Sequence, residues 1–418
     1  GAVFAIYAAE DIYTADFQKD DAGNRILEYA KDTLVAELTT DETGSATIKN
    51  LPLGNYRVVE KTAPDGFVHK KAEQNVQFVY VDQDTPAVVE SVEFINERQK
   101  VEISVEKQDA ENGSTIAGAE FGLYAKEDIK AGGKVIVKAD EQLCTAVTGE
   151  DGTAIFEQNL PFGSYYIKEL QAPDGFVSSD EIIEVTVSYQ GQDVEVVRLK
   201  EIFKNQPTTV EFRKSDLTTG VELDGATLTV LDKDGNEIDK WTSVKGEPHI
   251  IKRLHVGETY ILREEFAPYG YLKAEEVEFT ITDTAEIQKV EMKDDVPIGR
   301  IIINKKGEFL SEVSWNDMVA GAMDSIWGYV TGSLKDVTFE IYAREDIKAA
   351  DGESDDYYKK DELVATIKTD ELGIARTDDL PLGKYYVVEK ETADGFVLDG
   401  EPRDIDLTYR DQDTPVVT

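Results

Sequence analysis

Apolar and polar residues alternate in short segments along most of the chain, which is the pattern of half-buried β-strands. The segment 56–60 is typical, because Tyr56, Val58 and Glu60 lie two residues apart and share one face of an extended strand. Turns rich in Gly, Pro and Asp separate these segments. We therefore predict an all-β chain in which many short strands pack as sandwiches.

One sequence motif occurs four times and divides the chain into modules. In each copy a glycine turn leads into an alternating strand that ends at a second turn, and the copies span 51–67, 160–176, 254–271 and 380–396. We predict four tandem modules, called the first to the fourth module below, at residues 1–98, 99–206, 207–296 and 297–418. Because the joins are too short for flexible linkers, we expect the modules to stand end to end as a monomeric, semi-rigid rod.

Residues 314–331 of the fourth module have a different, helical spacing of apolar positions. Ser314 and Asp317 form a capping box, and Gly332 is a candidate residue for the helix end. The sequence thus predicts one inserted helix in the last module. Its apolar face either packs on its own sandwich or holds a partner. In the second case Trp315, Met323 and Trp327 are the candidate binding residues, because Trp and Met are favoured at binding surfaces.

A glutamate recurs on the inward face of the strand after each glycine turn. The four positions are Glu60, Glu169, Glu264 and Glu389. A lone buried carboxylate is costly, so each should be protonated or paired. At any one position the alternative is a strand-end acid that turns to solvent, but four copies favour a shared role.

A lysine on the first strand and an amide or acid on the last strand lie on the same inward faces. The lysines are Lys107, Lys214 and Lys305, and Lys306 lies on the opposite face from Lys305. On the last strands, Asn96 and Asn205 each follow their glutamate by thirty-six residues. Asp294 holds the corresponding place in the third module, with Asp295 as the alternative.

Buried lysine, glutamate and amide are the parts of an acyl transfer. Apolar surroundings lower the pKa of lysine, which gives an amine that can attack, and raise the pKa of glutamate, which gives a proton donor for the asparagine carbonyl. Attack would release ammonia from Asn, or water from Asp, and leave an amide bond. The alternative is a hydrogen-bonded network without chemistry.

Composition narrows the function further. With 44 Lys and Arg against 85 Asp and Glu, the formal charge of −41 disfavours nucleic acid and anionic lipid as partners. One cysteine, Cys144, and three histidines provide no disulfide framework, no metal cluster and no Cys/His nucleophile pair. No segment has the length of a membrane helix. We therefore expect no cofactor, no metal, no membrane insertion in this segment and no conventional enzyme activity.

The motifs resemble the SpaA-like and collagen-adhesin B-type (Cna B) domains of Gram-positive surface proteins and pilins. The resemblance depends on the K-x-D opening at Lys107 and Lys214, the G-x-Y-x-x-x-E-x-x-A-P-x-G segment and the closing Asn strand, and it covers nearly the whole chain. It implies immunoglobulin-like or transthyretin-like sandwiches, self-catalysed isopeptide bonds, and a place at the cell surface, anchored to the wall through a region outside this segment.

The resemblance also assigns roles to residues. It implies a Lys107 to Asn205 bond with Glu169 as catalyst, and a Lys214 to Asp294 bond formed through Glu264. The first module has Glu60 and Asn96 without a lysine, and the fourth has Lys305 and Glu389 without an acceptor, so neither closes within this sequence.

Two functions follow from these assignments. The chain is predicted to be an adhesin or surface-protein stalk, because no pilin lysine motif of the YPK type is present. The alternative is a module whose inserted helix grips a host extracellular protein, such as an immunoglobulin or a matrix glycoprotein.

Overall fold

The structure is a computed structural model that describes residues 1–418 apart from 15, 17, 158, 320 and 321, and apart from the side chains of 316–324. The described residues form β-strands, turns and loops and contain no helix. The chain divides into two compact units, residues 1–207 and 208–418. The prediction of an all-β chain is confirmed.

The first module contains one four-stranded antiparallel sheet with the order β4-β1-β5-β6, and a small β2-β3 hairpin. Ile6, Ala8, Ile12 and Tyr56 form its buried core. Its strands are β1 (Val3–Ala8), β2 (Ile12–Tyr13), β3 (Leu27–Tyr29), β4 (Leu34–Thr39), β5 (Gly54–Thr62) and β6 (Glu73–Phe78).

The second module packs a four-stranded sheet on a three-stranded sheet, with Phe121, Phe156, Tyr165 and Phe203 in the core between them. Its strands are β7 (Lys100–Asp109), β8 (Glu120–Ala125), β9 (Ile129–Ala131), β10 (Lys134–Val137), β11 (Gln142–Val147), β12 (Thr153–Phe156), β13 (Gly163–Gln171), β14 (Ile182–Val187) and β15 (Val196–Asn205). The sheet orders are β11-β8-β13-β14 and β12-β7-β15. The first strand, β7, and the last strand, β15, are parallel neighbours along their whole length.

The third module repeats this arrangement with a core around Phe212, Leu228, Tyr260 and Met292. Its strands are β16 (Thr209–Asp216), β17 (Thr227–Leu231), β18 (Glu237–Thr242), β19 (His249–Lys252), β20 (Thr259–Phe266), β21 (Val277–Thr280) and β22 (Gln288–Asp294). The sheet orders are β18-β17-β20-β21 and β19-β16-β22, and β16 pairs in parallel with β22. The first and last strands of the module are therefore again adjacent.

The fourth module keeps the four-stranded sheet, in the order β28-β27-β31-β32, but its second sheet is broken into short pieces. Its strands are β23 (Ile298–Gly299), β24 (Ile302–Asn304), β25 (Lys306–Val319), β26 (Ala322–Ser333), β27 (Thr338–Ala343), β28 (Leu363–Lys368), β29 (Ile374–Arg376), β30 (Leu380–Pro381), β31 (Gly383–Glu391), β32 (Arg403–Leu407) and β33 (Val416–Val417). The parallel pairing of first and last strands is reduced to two residue pairs between β23 and β33.

The predicted helix at 314–331 is wrong, because this segment lies in the long antiparallel hairpin of β25 and β26. Val313 pairs with Trp327, and Trp315 pairs with Ser325. Aromatic and β-branched residues favour strands, and glycines such as Gly328 each cost a helix interior about 1 kcal/mol. The predicted cap residues, Ser314, Asp317 and Gly332, are strand residues instead. A short run of apolar residues can fit both the helical period of about 3.6 residues and the strand period of two, and in this segment the strand period is the correct one.

Close packing explains why the repeated motif has a glycine before its strand. A Cβ on Gly54 would lie 3.0 Å from a side-chain atom of Ile12, and one on Gly383 would lie 3.1 Å from Ile347. The tyrosine two residues later then turns its hydroxyl back onto the chain, so that Tyr56 donates to the carbonyl of Pro52 at 2.7 Å. This close turn sets the start of the strand that carries the glutamate.

Candidate functional site

The second module brings Lys107, Glu169 and Asn205 together in its core. The Nζ of Lys107 lies 2.7 Å from Oε1 of Glu169 and donates to Oδ1 of Asn205 at 2.5 Å. The Nδ2 of Asn205 donates to both carboxylate oxygens of Glu169, at 3.0 and 2.9 Å. The side chains of Lys107 and Glu169 are almost completely excluded from solvent.

Burial changes the chemistry of the Lys107 amine. Its pKa is lowered, because desolvation disfavours the ammonium form and outweighs the opposing effect of Glu169. The rings of Phe121 and Phe203 lie 5.5 and 5.8 Å from Nζ and form part of the apolar surroundings. A lowered pKa increases the neutral fraction of the amine, which is the form that can attack a carbonyl.

The third module brings Lys214, Glu264 and Asp294 together in the same way. Lys214 donates to Oδ1 of Asp294, and its Nζ lies 2.9 Å from Oε1 of Glu264. The side chains of all three are fully buried. The second oxygen of Asp294 has no hydrogen-bond partner in the described part of the chain.

Two observations distinguish Asp294 from its neighbour Asp295. Burial raises the pKa of Asp294 to about 7, against the lowering effect of Lys214, so the carboxyl is substantially protonated near neutral pH. Asp295 is exposed, and its carboxylate accepts the backbone N–H of Val296 at 2.8 Å. The geometry therefore favours Asp294 as the partner of Lys214.

The outer modules each hold two of the three groups. In the first, Nδ2 of Asn96 donates to Oε1 of the buried Glu60 at 2.6 Å. In the fourth, Lys305 donates to Oε2 of Glu389 at 2.6 Å, and the Lys305 side chain is 22% exposed. Lys306 is exposed, in line with its expected position on the opposite face.

Sequence reasoning missed the backbone groups that orient the glutamates. Ser179 N–H donates to Oε2 of Glu169 at 2.9 Å, and Ala274 N–H donates to Oε2 of Glu264 at 2.7 Å. Each donor follows its glutamate by ten residues. This constant separation is the sequence signal that could have identified the two donors, which lie shortly after the glycine of the second turn.

The arrangement in the second module can support proton transfer as well as attack. Oε1 of Glu169 lies within hydrogen-bond distance of both Nζ of Lys107 and Nδ2 of Asn205. The expected contact, from glutamate to the asparagine carbonyl, is replaced by a contact to the amide nitrogen. One carboxylate oxygen thus reaches both the nitrogen that must lose a proton and the nitrogen that must gain one.

Two of the candidate binding residues, Trp315 and Trp327, lie on an exposed aromatic face of the hairpin. Trp315 and Trp327 are each more than half exposed. Leu310 and Tyr329, a cross-strand pair, extend this face. The side chain of Met323 lies outside the described residues.

The described residues contain no group of three His, Cys, Asp or Glu side chains that could hold a metal ion. They also contain no helix with the length and apolar character needed to cross a membrane.

The sequence model of one family, described as SpaA, a prealbumin-like fold domain, matches residues 1–93, 101–201, 208–296 and 329–418. The Bacillus anthracis TIE protein is a similar solved structure, with 20% identity, a TM-score of 0.47, and coverage of 100% of this chain and 67% of that one. BcpA, the major pilin subunit of Bacillus cereus, has 16% identity and a TM-score of 0.36, with coverage of 76% and 98%. A streptococcal ancillary pilin has 21% identity and a TM-score of 0.24, with coverage of 71% and 92%. No curated protein matches the chain.

Proposed function

The chain belongs to the SpaA family of prealbumin-like fold domains, and from this premise we propose that it is a non-enzymatic stalk segment of a Gram-positive surface protein or pilin. The stalk is extracellular and is anchored to the cell wall through a region outside this segment. Its second and third modules are each closed by an internal amide bond. The observation that carries this proposal is the burial of a lysine, a glutamate and an acceptor in mutual contact in both modules.

The bond in the second module forms by transfer of the Asn205 acyl group. The Nζ of Lys107 attacks Cγ of Asn205, the Cγ–Nδ2 bond breaks, and ammonia leaves. Glu169 takes the proton that the amine loses and delivers it to Nδ2, which it contacts at 3.0 Å. The ammonium form of Lys107 is disfavoured by burial, so the attacking amine is available.

The bond in the third module forms by the same attack on an acid. Lys214 attacks Cγ of Asp294, and one carboxyl oxygen leaves as water with the proton of the acid and a proton from the amine. The raised pKa of Asp294, about 7, supports this step, because a protonated carboxyl is a better acyl donor than a carboxylate.

Intact mass under denaturing conditions tests both bonds. We expect the chain to be lighter than its sequence mass by one ammonia plus one water. Glu169→Ala should restore the ammonia, and Glu264→Ala should restore the water. Glu389→Ala is the matched control, because it changes the same position in a module without an acceptor and should leave the deficit unchanged. A wild-type mass equal to the sequence mass would refute both bonds.

A second candidate function, partner binding, is supported by the hairpin of β25 and β26. Soluble proteins seldom expose contiguous apolar patches, and such patches commonly mark binding surfaces. Trp315, Trp327 and Tyr329 lie on one face of this hairpin and are each more than half exposed. We propose that this face binds a host extracellular protein, such as an immunoglobulin or a matrix glycoprotein.

The paired variants Trp327→Ala and Ile326→Ala test this role. Trp327 lies on the aromatic face, whereas Ile326 is its equally exposed neighbour on the opposite face. Binding of the whole chain to purified immunoglobulin and to a panel of matrix glycoproteins should weaken at least about tenfold for Trp327→Ala, as for a binding hot spot. Equal effects of the two substitutions, or no binding by the wild type, would remove this candidate.

A further inference from the structure

The hairpin of β25 and β26 has two free edges, because each strand pairs only with the other among the described residues. Edge strands present unpaired N–H and C=O groups that can accept a further strand, and proteins commonly protect them with charged residues, proline or a bulge. The edge of β25 has such protection, since it carries Lys306, Glu308 and Glu312 and its register shifts between Leu310 and Glu312. The edge of β26 has none, because residues 325–333 contain no charged residue, no proline and no bulge.

Strand β15 of the second module shows the protection that β26 lacks. It also lies at the edge of its sheet, and it is ten residues long. Its charged residues are Arg198, Lys200, Glu201 and Lys204. A strand added to β15 would have to place its own side chains beside these charges, which disfavours the addition. The edge of β26 is therefore the better site for a further strand.

One hydrogen bond shows which backbone groups of β26 point to the free edge. The hydroxyl of Ser311 donates to the carbonyl of Gly328 at 2.9 Å, so the backbone groups of Gly328 face β25. Successive residues of a strand direct their N–H and C=O groups to opposite sides. The N–H and C=O groups of Trp327, Tyr329 and Thr331 therefore face away from β25. This edge presents a row of donors and acceptors with which an extended segment can pair.

A carboxylate lies over the middle of this edge. A Cβ on Gly328 would lie 2.8 Å from Cγ and 3.3 Å from Oε1 of Glu312, so the glutamate side chain lies over Gly328. Glu312 is exposed and forms no ion pair with the described residues. Because Gly328 has no side chain, a cation on a strand added beside β26 can reach this carboxylate without obstruction.

We propose that the edge of β26 binds an extended, basic segment of a partner protein as a third strand of the hairpin. The segment pairs with the backbone of Trp327, Tyr329 and Thr331. A Lys or Arg opposite Gly328 pairs with Glu312, and the apolar residues on either side of this cation lie beside Trp327 and Tyr329, because side chains alternate between the two faces. This inference rests on the hairpin as a binding surface, the second candidate function above, and specifies the chemistry of the partner.

A second copy of the chain does not have the required chemistry. Its own β26 has no cation in residues 325–333 to place beside Glu312. Each copy also has a formal charge of −41, so two copies repel one another, whereas a basic segment is attracted. The charges therefore favour a basic partner over self-association.

Binding of a synthetic peptide to the whole chain tests the proposal. The labelled, end-capped peptide Ser-Val-Thr-Val-Lys-Val-Thr-Val-Ser reads the same in both directions and so suits parallel or antiparallel addition. We expect saturable binding that weakens with added salt, and slower amide hydrogen exchange in residues 325–333. The control peptide, with Glu in place of Lys, should bind at least about tenfold more weakly because its charge repels Glu312. No binding of the Lys peptide, equal binding of the two peptides, or slower exchange elsewhere would overturn the proposal.

Methylation of peptide nitrogens tests backbone pairing. Methyl groups on the Val nitrogens remove the N–H donors from one edge of the peptide strand, and methyl groups on the Lys and Thr nitrogens remove them from the other edge. Only one edge of the peptide faces β26, so one methylated peptide should lose binding and the other should keep it. Equal binding of the two methylated peptides would show that the peptide is not held as a strand.

Glu312→Lys tests the cation site independently of backbone pairing. The side chain is exposed, so the melting temperature should hold. The preference should reverse, with the Glu peptide binding more tightly than the Lys peptide. Glu308→Lys is the matched control, because it makes the same charge change on the opposite face of the hairpin and should leave the Lys peptide preferred. An unreversed preference in Glu312→Lys, or a reversal in both variants, would exclude Glu312 as the partner of the cation.

Thr331→Pro distinguishes the partner from a second copy of the chain. It removes an N–H that faces the free edge, a position where proline is tolerated, and should weaken peptide binding about tenfold. The wild type should sediment as a monomer, and dimers that Thr331→Pro abolishes would assign the edge to a second copy and overturn the proposal. A matrix glycoprotein that binds through Trp327 while the Lys peptide does not bind would overturn this inference alone and leave the second candidate function standing.

Discussion

The second and fourth modules share a buried glutamate and an inward lysine, but only the second surrounds them completely. Lys107 is fully buried between Glu169 and Asn205, whereas the Lys305 side chain is 22% exposed and donates to Glu389. The difference lies in the strands. In the second module the first and last strands pair over ten residues, and in the fourth they pair over two.

This difference shows that the last strand has two roles in the site. It supplies the acceptor, Asn205 or Asp294, and it excludes water from the lysine beside it. Burial of the glutamate does not need a long last strand, because Glu389 is 4% exposed in a module whose first and last strands pair over only two residues. The core of that module is enough to bury the glutamate, and a full last strand completes the set of three groups.

The largest expected effect is on the stability of the second module, through the proposed Lys107 to Asn205 bond. Glu169→Ala should leave Lys107 and Asn205 unlinked, and so release a loop closed across a separation of 98 residues. In the chain-entropy model a cross-link of this span contributes about 4–5 kcal/mol to the free energy of unfolding. Calorimetry of the whole chain should show the second module melting at a much lower temperature.

Glu389→Ala is the matched change in the fourth module. It removes a buried partner of Lys305 but no bond, so its effect should be smaller by several kcal/mol. Equal losses for the two variants would show that the glutamates act only as buried ion-pair partners.

The next largest effect is on the pH dependence of the stability of the third module. In Lys214→Met the carboxyl of Asp294 stays free and buried. Burial raises its pKa to about 7 even with the lowering effect of Lys214, so without Lys214 the pKa in the folded state lies well above the unfolded value of 3.8. A raised carboxyl pKa stabilises the fold at low pH, and this stabilisation is lost as pH rises from about 4 through 7 and beyond. In the wild type the proposed bond would convert the Asp294 carboxyl into an amide, so this loss should be absent.

Denaturant unfolding at several pH values measures the difference. Lys107→Met in the second module is the control, because it also removes the lysine from a buried glutamate, but that glutamate lies beside the neutral Asn205 and not beside a second carboxyl. The stability of Lys214→Met should fall more steeply with rising pH than that of Lys107→Met. Parallel curves would show that the Asp294 carboxyl does not titrate differently in the folded and unfolded states.

A smaller effect is expected where the first and second modules meet, because Oε1 of Gln192 accepts the N–H of Ala63 at 3.0 Å. Gln192→Ala removes this acceptor and should lower the free energy of unfolding by about 0.5–1.5 kcal/mol, as for one hydrogen bond. Gln83→Ala changes the glutamine that ends the same Tyr-x-x-Gln sequence in the first module, where the side chain is exposed, and should have no measurable effect. Thermal melts of both variants make the comparison, and equal shifts would contradict it.

The smallest effect is expected in the hairpin. Trp327 is more than half exposed, so Trp327→Ala should change the free energy of unfolding by within about 0.5 kcal/mol, as is usual for surface positions. Urea titration of the fourth module measures this change. A loss of several kcal/mol would show that Trp327 packs as a core residue.

Alternation along a strand is enough to place a side chain on a face, and this is the part of the candidate site that the sequence predicts. Val105 and Lys107 share a face with Ile103, and all three are buried. Met292 and Asp294 share a face in the same way, which is why Asp294 rather than Asp295 lies beside Lys214. The identification of the SpaA-like family from the same motifs is confirmed.

The sequence alone does not predict contacts that depend on two distant turns. The backbone donors Ser179 and Ala274 carry no distinctive side chain, so only their constant separation from the glutamate indicates them. The predicted helix is wrong because the apolar residues of the hairpin fit a helical spacing as well as an alternating one, and only the pairing of β25 with β26 selects the strand conformation. The proposed bonds themselves remain predictions until the mass is measured.

The parallel first and last strands of the second module determine how the module would respond to mechanical force. The chain enters at Lys100 and leaves at Asn205, so a pull on its ends would shear β7 against β15 and load their whole ladder at once. With the Lys107 to Asn205 bond in place, the load would cross from one strand to the other at that point. The intervening chain, about 300 Å if drawn out at roughly 3.3 Å per residue, would then carry no tension.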